Sequence, residues 1–351
     1  MDTVLVTGGA GFIGIHTVIA LLEKKYRILI IDSLINSSKK SIERLISKNL
    51  LRKESINSQI IFINGDIRDI NFLRSVFKKA SKSGHIIKYV LHFAGLKSIS
   101  DSILFPDEYW DVNVIGTKRL LKVMKENNCH NFVFSSSATV YSLDEKSPLK
   151  ENSSLSPNNQ YGYTKLAVEK FLEGLVHDQE RFWRIVCLRY FNPIGAHPSG
   201  DFGESPLNTP NNLFPYLCQV ASKKRKKLYI FGQNWPTSDG TCIRDYIHIM
   251  DLAEGHIAAI DYIKSGAKEP FLIINLGTGL GTSVLELVKT FENINNLRID
   301  YEFIERREKD KAIVYADPNF AKRILNWEAK RNIFDMCKDG WNWQKKNPDG
   351  Y

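Results

Sequence analysis

The segment Gly8-Gly9-Ala10-Gly11-Phe12-Ile13-Gly14 constrains this chain more than any other. It follows directly on the apolar run Val4–Leu5–Val6 and opens a helical pattern over 13–25. Glycines at 8, 11 and 14 allow a tight turn, close backbone approach to a pyrophosphate, and close packing of helix on strand. The helix start then presents unpaired N–H groups and a partial positive charge to phosphates. Asp32 closes the next apolar run, Ile28–Ile31. An acid at that place suits an adenosine ribose diol and repels a 2′-phosphate, so NAD rather than NADP is the expected cofactor. A loop that merely turns the chain accounts for the glycines but not for strand, helix and acid in this order.

Further short apolar runs, Ile60–Ile63, Tyr89–His92 and Phe132–Ser135, alternate with helical patterns at 70–82, 113–127 and 161–177. Strand then helix, repeated, is the signature of a parallel sheet covered on both faces. The expected fold class is therefore α/β: a Rossmann-like doubly wound parallel sheet with a smaller, discontinuous α/β lobe for the substrate. Past Leu188–Phe191 the character changes. Residues 192–212 are loop-like, rich in Pro, Gly, Ser and Asn. A helix at 213–222, a strand at Leu228–Phe231 and another loop follow. Phe271–Asn275 reads as one more buried strand returning to the main sheet. A helix at 283–293, a strand at 299–304 and a Trp-bearing tail end the chain. The expected division is 1–191 as an NAD-binding domain, with 241–277 partly returning to it, and 192–351 as the smaller lobe.

Composition narrows the partners. A chain of 351 residues that is 43% hydrophobic builds a substantial core, which excludes disorder and collagen. The 48 basic against 39 acidic residues, a formal +9, invite a search for a polyanion. The tempting patch, Lys223–Lys227, falls at the end of the 213–222 helix, where cations complement the dipole. It has no interleaved aromatics for base stacking, so a solvated face is expected, with no nucleic-acid or membrane partner. Five scattered cysteines without a CxxC pair argue against disulfides or structural zinc. The eight histidines show no HExxH spacing, so no metal site is expected, and His16 and His92 read as packing or satisfied polar residues. Without a signal-like N-terminus or an apolar run of about 20 residues, a soluble cytoplasmic protein is expected.

Tyr161 and Lys165, at i and i+4, emerge on one helix face. A phenol is a poor base at neutral pH, and a nearby ammonium favours its phenolate. Ser135-Ser136-Ser137 closes a strand upstream, where a hydroxyl can bond a substrate oxygen. YxxxK alone fits a surface pair equally well; with the glycine loop, Asp32 and the serines in order, it points to hydride chemistry at a carbinol.

GxxGxxG spacing together with Tyr161-Gly-Tyr-Thr-Lys165 resembles the extended short-chain dehydrogenase/reductase family. The resemblance implies Ser137, Tyr161 and Lys165 as catalytic residues, Lys165 also holding the nicotinamide ribose. It implies cofactor contacts from Gly8, Gly11, Phe12, Ile13, Gly14 and Asp32. Asp66 and Ile67 match the adenine segment, and Phe93, Ala94, Gly95 and Lys97 the cofactor-lining loop. Asn113 and Phe191 complete that set. Within the family, 4,6-dehydratases carry an Asp-Glu pair after the hydroxyl residue and decarboxylases keep a Glu; here stand Ala138 and Thr139. Ser-Ser-Ser-Ala-Thr-Val-Tyr looks instead like the nucleotide-sugar 4-epimerases acting on UDP-glucose and UDP-galactose. The likeness implies UDP-sugar contacts from Lys97, Ser137, Tyr161, Asn192, Asn212, Leu213, Arg244, Arg307 and Asp310. Val314 stands where related enzymes often place a Tyr beside the sugar's C2, which implies activity on N-acetylated UDP-sugars as well. The family commonly dimerises, here through helices near 100–126 and 161–177, with Leu166, Phe171 and Leu172 forming either part of the seam or core. The rival readings are another UDP-sugar enzyme of the family and a catalytically silent NAD-binding scaffold.

Overall fold

A computed structural model describes residues 1–48, 59–178, 182–266, 268–307 and 310–351. The basic stretch at 46–58 lies outside the described residues from 49 onward, as do Glu308 and Lys309. Two compact units form. The first comprises 1–142, 155–189 and 253–274, and the second 143–154, 190–252 and 275–351.

The first unit carries a seven-stranded sheet. Its strands are β1 (Thr3–Thr7), β2 (Arg27–Asp32), β3 (Ile60–Asn64), β4 (Ile87–His92), β5 (Asn131–Ser137), β6 (Arg184–Tyr190) and, far along the chain, β10 (Phe271–Leu276). The order is β10-β6-β5-β4-β1-β2-β3, and β1 pairs in parallel with both β2 and β4. The chain thus reverses its direction of winding at β1/β4. In open α/β sheets ligands bind at the carboxyl ends of strands beside such a reversal. The glycine loop leaves β1 there, and Phe93–Gly95 leaves β4.

Burial explains why these runs are so apolar. Leu5, Leu29, Val90, Phe132 and Phe134 form one core with Leu73, Val76, Leu120 and Met124 from the flanking helices. Leu172 is wholly buried in that core, and Phe171 packs against it. Asp69 starts the helix Ile70–Lys82 by accepting the Asn71 and Phe72 N–H groups at 2.9 Å. The helix expected at 113–127 instead begins as a π-helical turn, Asp111–Ile115, before Gly116–Glu126. Short helices Ile99–Leu104 and Pro106–Trp110 precede it.

In the second unit β9 (Ile243–His248) is the hub. Its first half pairs with β11 (Gly281–Ser283) and β13 (Ile313–Val314), and its second half with β7 (Asn192–Ile194). A separate parallel pair joins β8 (Leu228–Phe231) and β12 (Tyr301–Ile304). Phe214, Leu217, Phe291, Met336 and Trp341 sit in its core. β9 reads as loop in the sequence because Arg244, Asp245 and His248 interrupt it. Asp245 is nevertheless wholly buried, accepting N–H bonds from Thr278 (2.8 Å), Gly279 (3.0 Å) and Ala316 (3.1 Å) and the Thr278 hydroxyl (2.7 Å). A buried carboxylate with that many donors is tolerable inside a strand.

The basic run at 223–227 is paired locally. Lys224 meets Asp349 and Lys227 meets Glu302, each at 2.8 Å, and the Arg225 guanidinium lies 4.6 Å over the Tyr216 ring. All five cysteines are free and buried. Among the described residues no helix is long and apolar enough to cross a membrane, and no group of three or more His, Cys, Asp or Glu is arranged to hold a metal ion.

Candidate active site

The glycine loop is built by contacts that admit no side chain. Gly8 has φ +71°, and a Cβ on it would sit 2.6 Å from the Ala94 nitrogen. One on Gly14 would lie 2.2 Å from the Gly8 carbonyl oxygen. Gly11 differs: a Cβ there would meet only Gly8 O, at 3.4 Å, an ordinary contact. The fold demands glycine at 8 and 14, whereas its own packing leaves room for a methyl at 11. The helix Phe12–Glu23 has no side-chain N-cap and no acid in its first turn, so its leading N–H groups suit a pyrophosphate. These features fit a dinucleotide.

Asp32 has a structural part of its own. Its carboxylate accepts the Ala10 N–H (2.9 Å), the Leu34 N–H (2.9 Å) and the Ser37 hydroxyl (2.8 Å), fastening the glycine loop to the end of β2. Asp66 is bound by the Arg68 guanidinium at 2.7 Å, and that hydrogen bond holds its carboxyl below the usual carboxylate range. Ile67 is buried against Gly116. Phe93 packs on His256 at 4.8 Å, and Lys97 is exposed.

Asn113, on the π-helical turn, pairs with the Leu96 backbone in both directions. Its Oδ1 accepts the Leu96 N–H (2.8 Å) and its Nδ2 donates to the Leu96 carbonyl (3.0 Å). The same Nδ2 reaches the Thr164 hydroxyl at 3.1 Å, so one side chain ties the loop after β4 to the helix Gln160–Asp178. Behind it lies His92, wholly buried. The Thr117 hydroxyl donates to the Asn113 carbonyl at 2.6 Å, so it accepts from His92 Nε2 at 2.8 Å. His92 Nδ1 must then accept the Thr7 hydroxyl, 2.6 Å away. Burial, reinforced by the Lys165 charge, pushes His92 down to about 3, and the ring stays neutral in that one tautomer.

The three expected catalytic residues converge at the end of β5. Ser137 Oγ accepts the Thr139 N–H (3.2 Å) and the Thr139 hydroxyl (3.0 Å). The Tyr161 phenol lies beside it, close enough for the Ser137 hydroxyl to favour loss of the phenol proton. Lys165 Nζ donates to the Ser135 carbonyl at 2.8 Å and lies 5.6 Å from the Tyr161 ring centre. A Cβ on Gly95 would come within 3.9 Å of that Nζ and 2.9 Å of Asn113 Oδ1, which brings the loop after β4 to the ammonium.

Burial pushes the Tyr161 phenol up to about 12; the Ser137 hydrogen bond opposes this, and Tyr109 adds to it. Burial likewise pushes Lys165 down to about 8, against the pull of Glu169. Burial thus favours the neutral form of both groups. Glu169, Arg189 and Thr164 are residues that sequence reasoning passed over. For Glu169 the signal was available: it continues the i, i+4 stripe of Tyr161 and Lys165.

In the second unit, Arg244 and Val314 are register partners across β9 and β13. Arg244 binds Asp310 at 2.5 Å, and Asn192 aligns with Tyr246 of β9. The Arg307 guanidinium stacks 3.9 Å over Phe231. Asn212 precedes the helix Leu213–Ala221 and reaches Glu204 at 3.4 Å; Phe191 is buried, its N–H on the Leu276 carbonyl at 3.2 Å.

A family model described as the NAD dependent epimerase/dehydratase family matches residues 4–277. The chain belongs to that family. Within this epimerase/dehydratase family it is 45% identical over 350 residues to the UDP-glucose 4-epimerase of Bacillus subtilis (strain 168), covering 99% of this chain and 98% of that one. It is 46% identical over 349 residues to the UDP-glucose 4-epimerase of Pasteurella multocida (strain Pm70), covering 99% of each. Its structure matches that of the Bifidobacterium longum UDP-glucose 4-epimerase, in complex with NAD+ and UDP, with a TM-score of 0.91, 43% identity and full coverage of both chains. The epimerase/dehydratase glycine loop generates one expectation. Gly14→Ala drives a methyl into the Gly8 carbonyl and leaves the purified protein without NAD, measured as nucleotide released on acid denaturation. Wild-type NAD content in that variant contradicts the packing argument.

Proposed function

We propose that this protein interconverts the C4 epimers of UDP-hexoses, UDP-glucose and UDP-galactose among them, with NAD as resident cofactor. The observation that carries the reading is the set Ser137–Tyr161–Lys165 at the end of β5, followed by Ala138 and Thr139 rather than carboxylates. A 4,6-dehydratase or decarboxylase of this family needs an acid at that point. A silent scaffold has no use for an intact hydroxyl, phenol and ammonium gathered at one strand end.

Tyr161 takes the C4 hydroxyl proton and later returns it. Ser137, its oxygen already satisfied by Thr139, donates to whichever oxygen carries negative charge, the phenolate or the sugar's C4 oxygen. When bound, NAD supplies a reversible hydride acceptor whose oxidised ring is positively charged, which favours the phenolate and lets the sugar pass through a 4-keto form. Lys165, Asn113 and the glycine loop hold the dinucleotide. Arg244 and Arg307 bind the diphosphate of UDP, Arg244 oriented by Asp310, with Asn192, Asn212 and Leu213 as further contacts. Lys97 contributes to both ligands.

Incubation with UDP-galactose and no added reductant yields UDP-glucose on product separation, and the reverse. Tyr161→Phe keeps its NAD and loses turnover by at least ~100-fold. Loss of water or carbon dioxide from the substrate, or normal turnover in the variant, sinks the assignment.

Val314 leaves room beside the sugar's C2, so the enzyme also turns over UDP-N-acetylglucosamine and its galacto epimer. Val314→Tyr removes that activity and spares UDP-galactose. N-acetyl turnover that survives the substitution undiminished shows another gate.

We also propose a homodimer. Ile103, Leu104 and Phe105 are 64%, 70% and 56% exposed beside the helix Gln160–Asp178, a run too apolar for a solvated face. Leu172 takes no part in it. Light scattering returns twice the chain mass; a monomeric mass at micromolar concentration overturns this reading.

A further inference from the structure

The helix Gln160–Asp178 meets the three serines ending β5 through one stripe of side chains. Tyr161 lies beside the Ser137 hydroxyl, and Lys165 donates to the Ser135 carbonyl. One turn further on, Glu169 accepts the Ser136 hydroxyl at 2.5 Å. Glu169 is 2% exposed and Arg189, from β6, is wholly buried. Arg189 grips the same carboxylate with Nε at 3.0 Å and Nη2 at 2.7 Å, and its guanidinium lies 4.8 Å over the Tyr141 ring. This is a dry, bidentate ion pair that the proton-transfer chemistry does not touch.

A buried ion pair is seldom justified by stability, since apolar residues of the same volume serve as well or better. Its location gives it another use. We propose that Glu169 is a positioning residue for the reaction: anchored by Arg189 and Ser136, it keeps Lys165 in its ammonium form and sets the register of Tyr161 against Ser137. The proposal rests on the reading of Tyr161 and Lys165 as the reacting pair.

The electrostatic surroundings are few enough to name. From β4, Lys165 faces His92, which is neutral. From β5 it meets the Phe134 ring at 5.0 Å and the Ser135 carbonyl. β6 supplies Arg189 and the Cys187 thiol, which burial holds well above its usual range and therefore uncharged. Its own helix supplies Tyr161, Glu169 and Glu173, the last paired with Lys170 at 2.8 Å near the surface. Tyr109 lies near Tyr161. Burial disfavours the ammonium, and Glu169 is the acid that opposes it.

The signs follow. Glu169→Gln removes the stabilising charge and leaves Arg189 uncompensated, so Lys165 loses its proton at lower pH. Arg189→Gln leaves Glu169 at full strength, so Lys165 holds its proton to higher pH. Ser136→Ala removes a hydrogen bond and no charge. A purely structural ion pair predicts that both charge variants weaken the protein alike.

The test uses the full chain carrying NAD, with lysine labelled at Cε and the Lys165 resonance identified by its loss in Lys165→Met. The resonance is expected to titrate about one pH unit lower in Glu169→Gln, higher in Arg189→Gln, and unchanged in Ser136→Ala. A unit is about tenfold in the ammonium fraction, so kcat of Glu169→Gln falls about tenfold on the alkaline side, KM for the UDP-sugar staying level. Unmoved titration in Glu169→Gln, or movement of both charge variants in one direction, overturns the proposal. If Glu169→Gln does not fold, an Arg189→Gln resonance that fails to rise overturns it alone. The resonance is read without turnover, so a protein inactive on UDP-sugars strikes the proposed function and leaves this measurement standing.

Discussion

The contact on which the first unit depends is the one between the start of its first helix and the loop beneath it. With 2.2 Å between a notional Gly14 Cβ and the Gly8 carbonyl, helix and strand meet backbone to backbone. That approach sets where the helix lies on the sheet, and Asp32 locks it from the neighbouring strand. Once β1 and its helix are placed, the right-handed crossover rule puts β2 and β3 on one side and leaves the other for β4, β5 and β6. The reversal at β1/β4, and the site beside it, descend from this contact.

Buried polar groups then convert a scaffold into a site. Thr7, His92, Thr117, Asn113 and Thr164 form a chain of hydrogen bonds in which each proton has one place to go. The chain joins the end of β1, the end of β4, the π-helical turn and the catalytic helix. A π-helical turn is an awkward piece of backbone, and such turns occur often at functional positions. Here it swings Asn113 to face Leu96, where the side chain imitates a strand partner.

Legibility in the sequence followed a physical line. The parallel sheet was readable because strands buried on both faces must be apolar throughout, as Val4–Val6 and Ile28–Ile31 are. The glycine loop, the Ser–Tyr–Lys set and Asp32 were readable because their chemistry restricts both residue type and spacing. β9 was not, since its buried Asp245 is satisfied by Thr278, Gly279 and Ala316, all distant in sequence. The segment 143–154 joins the second unit although its sequence neighbours on both sides belong to the first. The i, i+4 spacing brings an ammonium close to Tyr161 without disclosing how dry the pair is. Spacing places Glu169 on the stripe of Tyr161 and Lys165, but its partners Ser136 and Arg189 come from β5 and β6, and only the folded sheet brings them together.

β9 has a consequence for how such a protein changes over time. Arg244 and Val314 are neighbours by backbone register, on strands held by main-chain hydrogen bonds that do not depend on either side chain. β13 is two residues long, so a new side chain at 314 disturbs little else. On the reading proposed for this site, a lineage can alter position 314 beside the sugar while Arg244 and Asp310, paired with each other, stay where they are. In that reading, recognition of the variable end of a ligand is separable from recognition of its constant end across a single short rung of sheet.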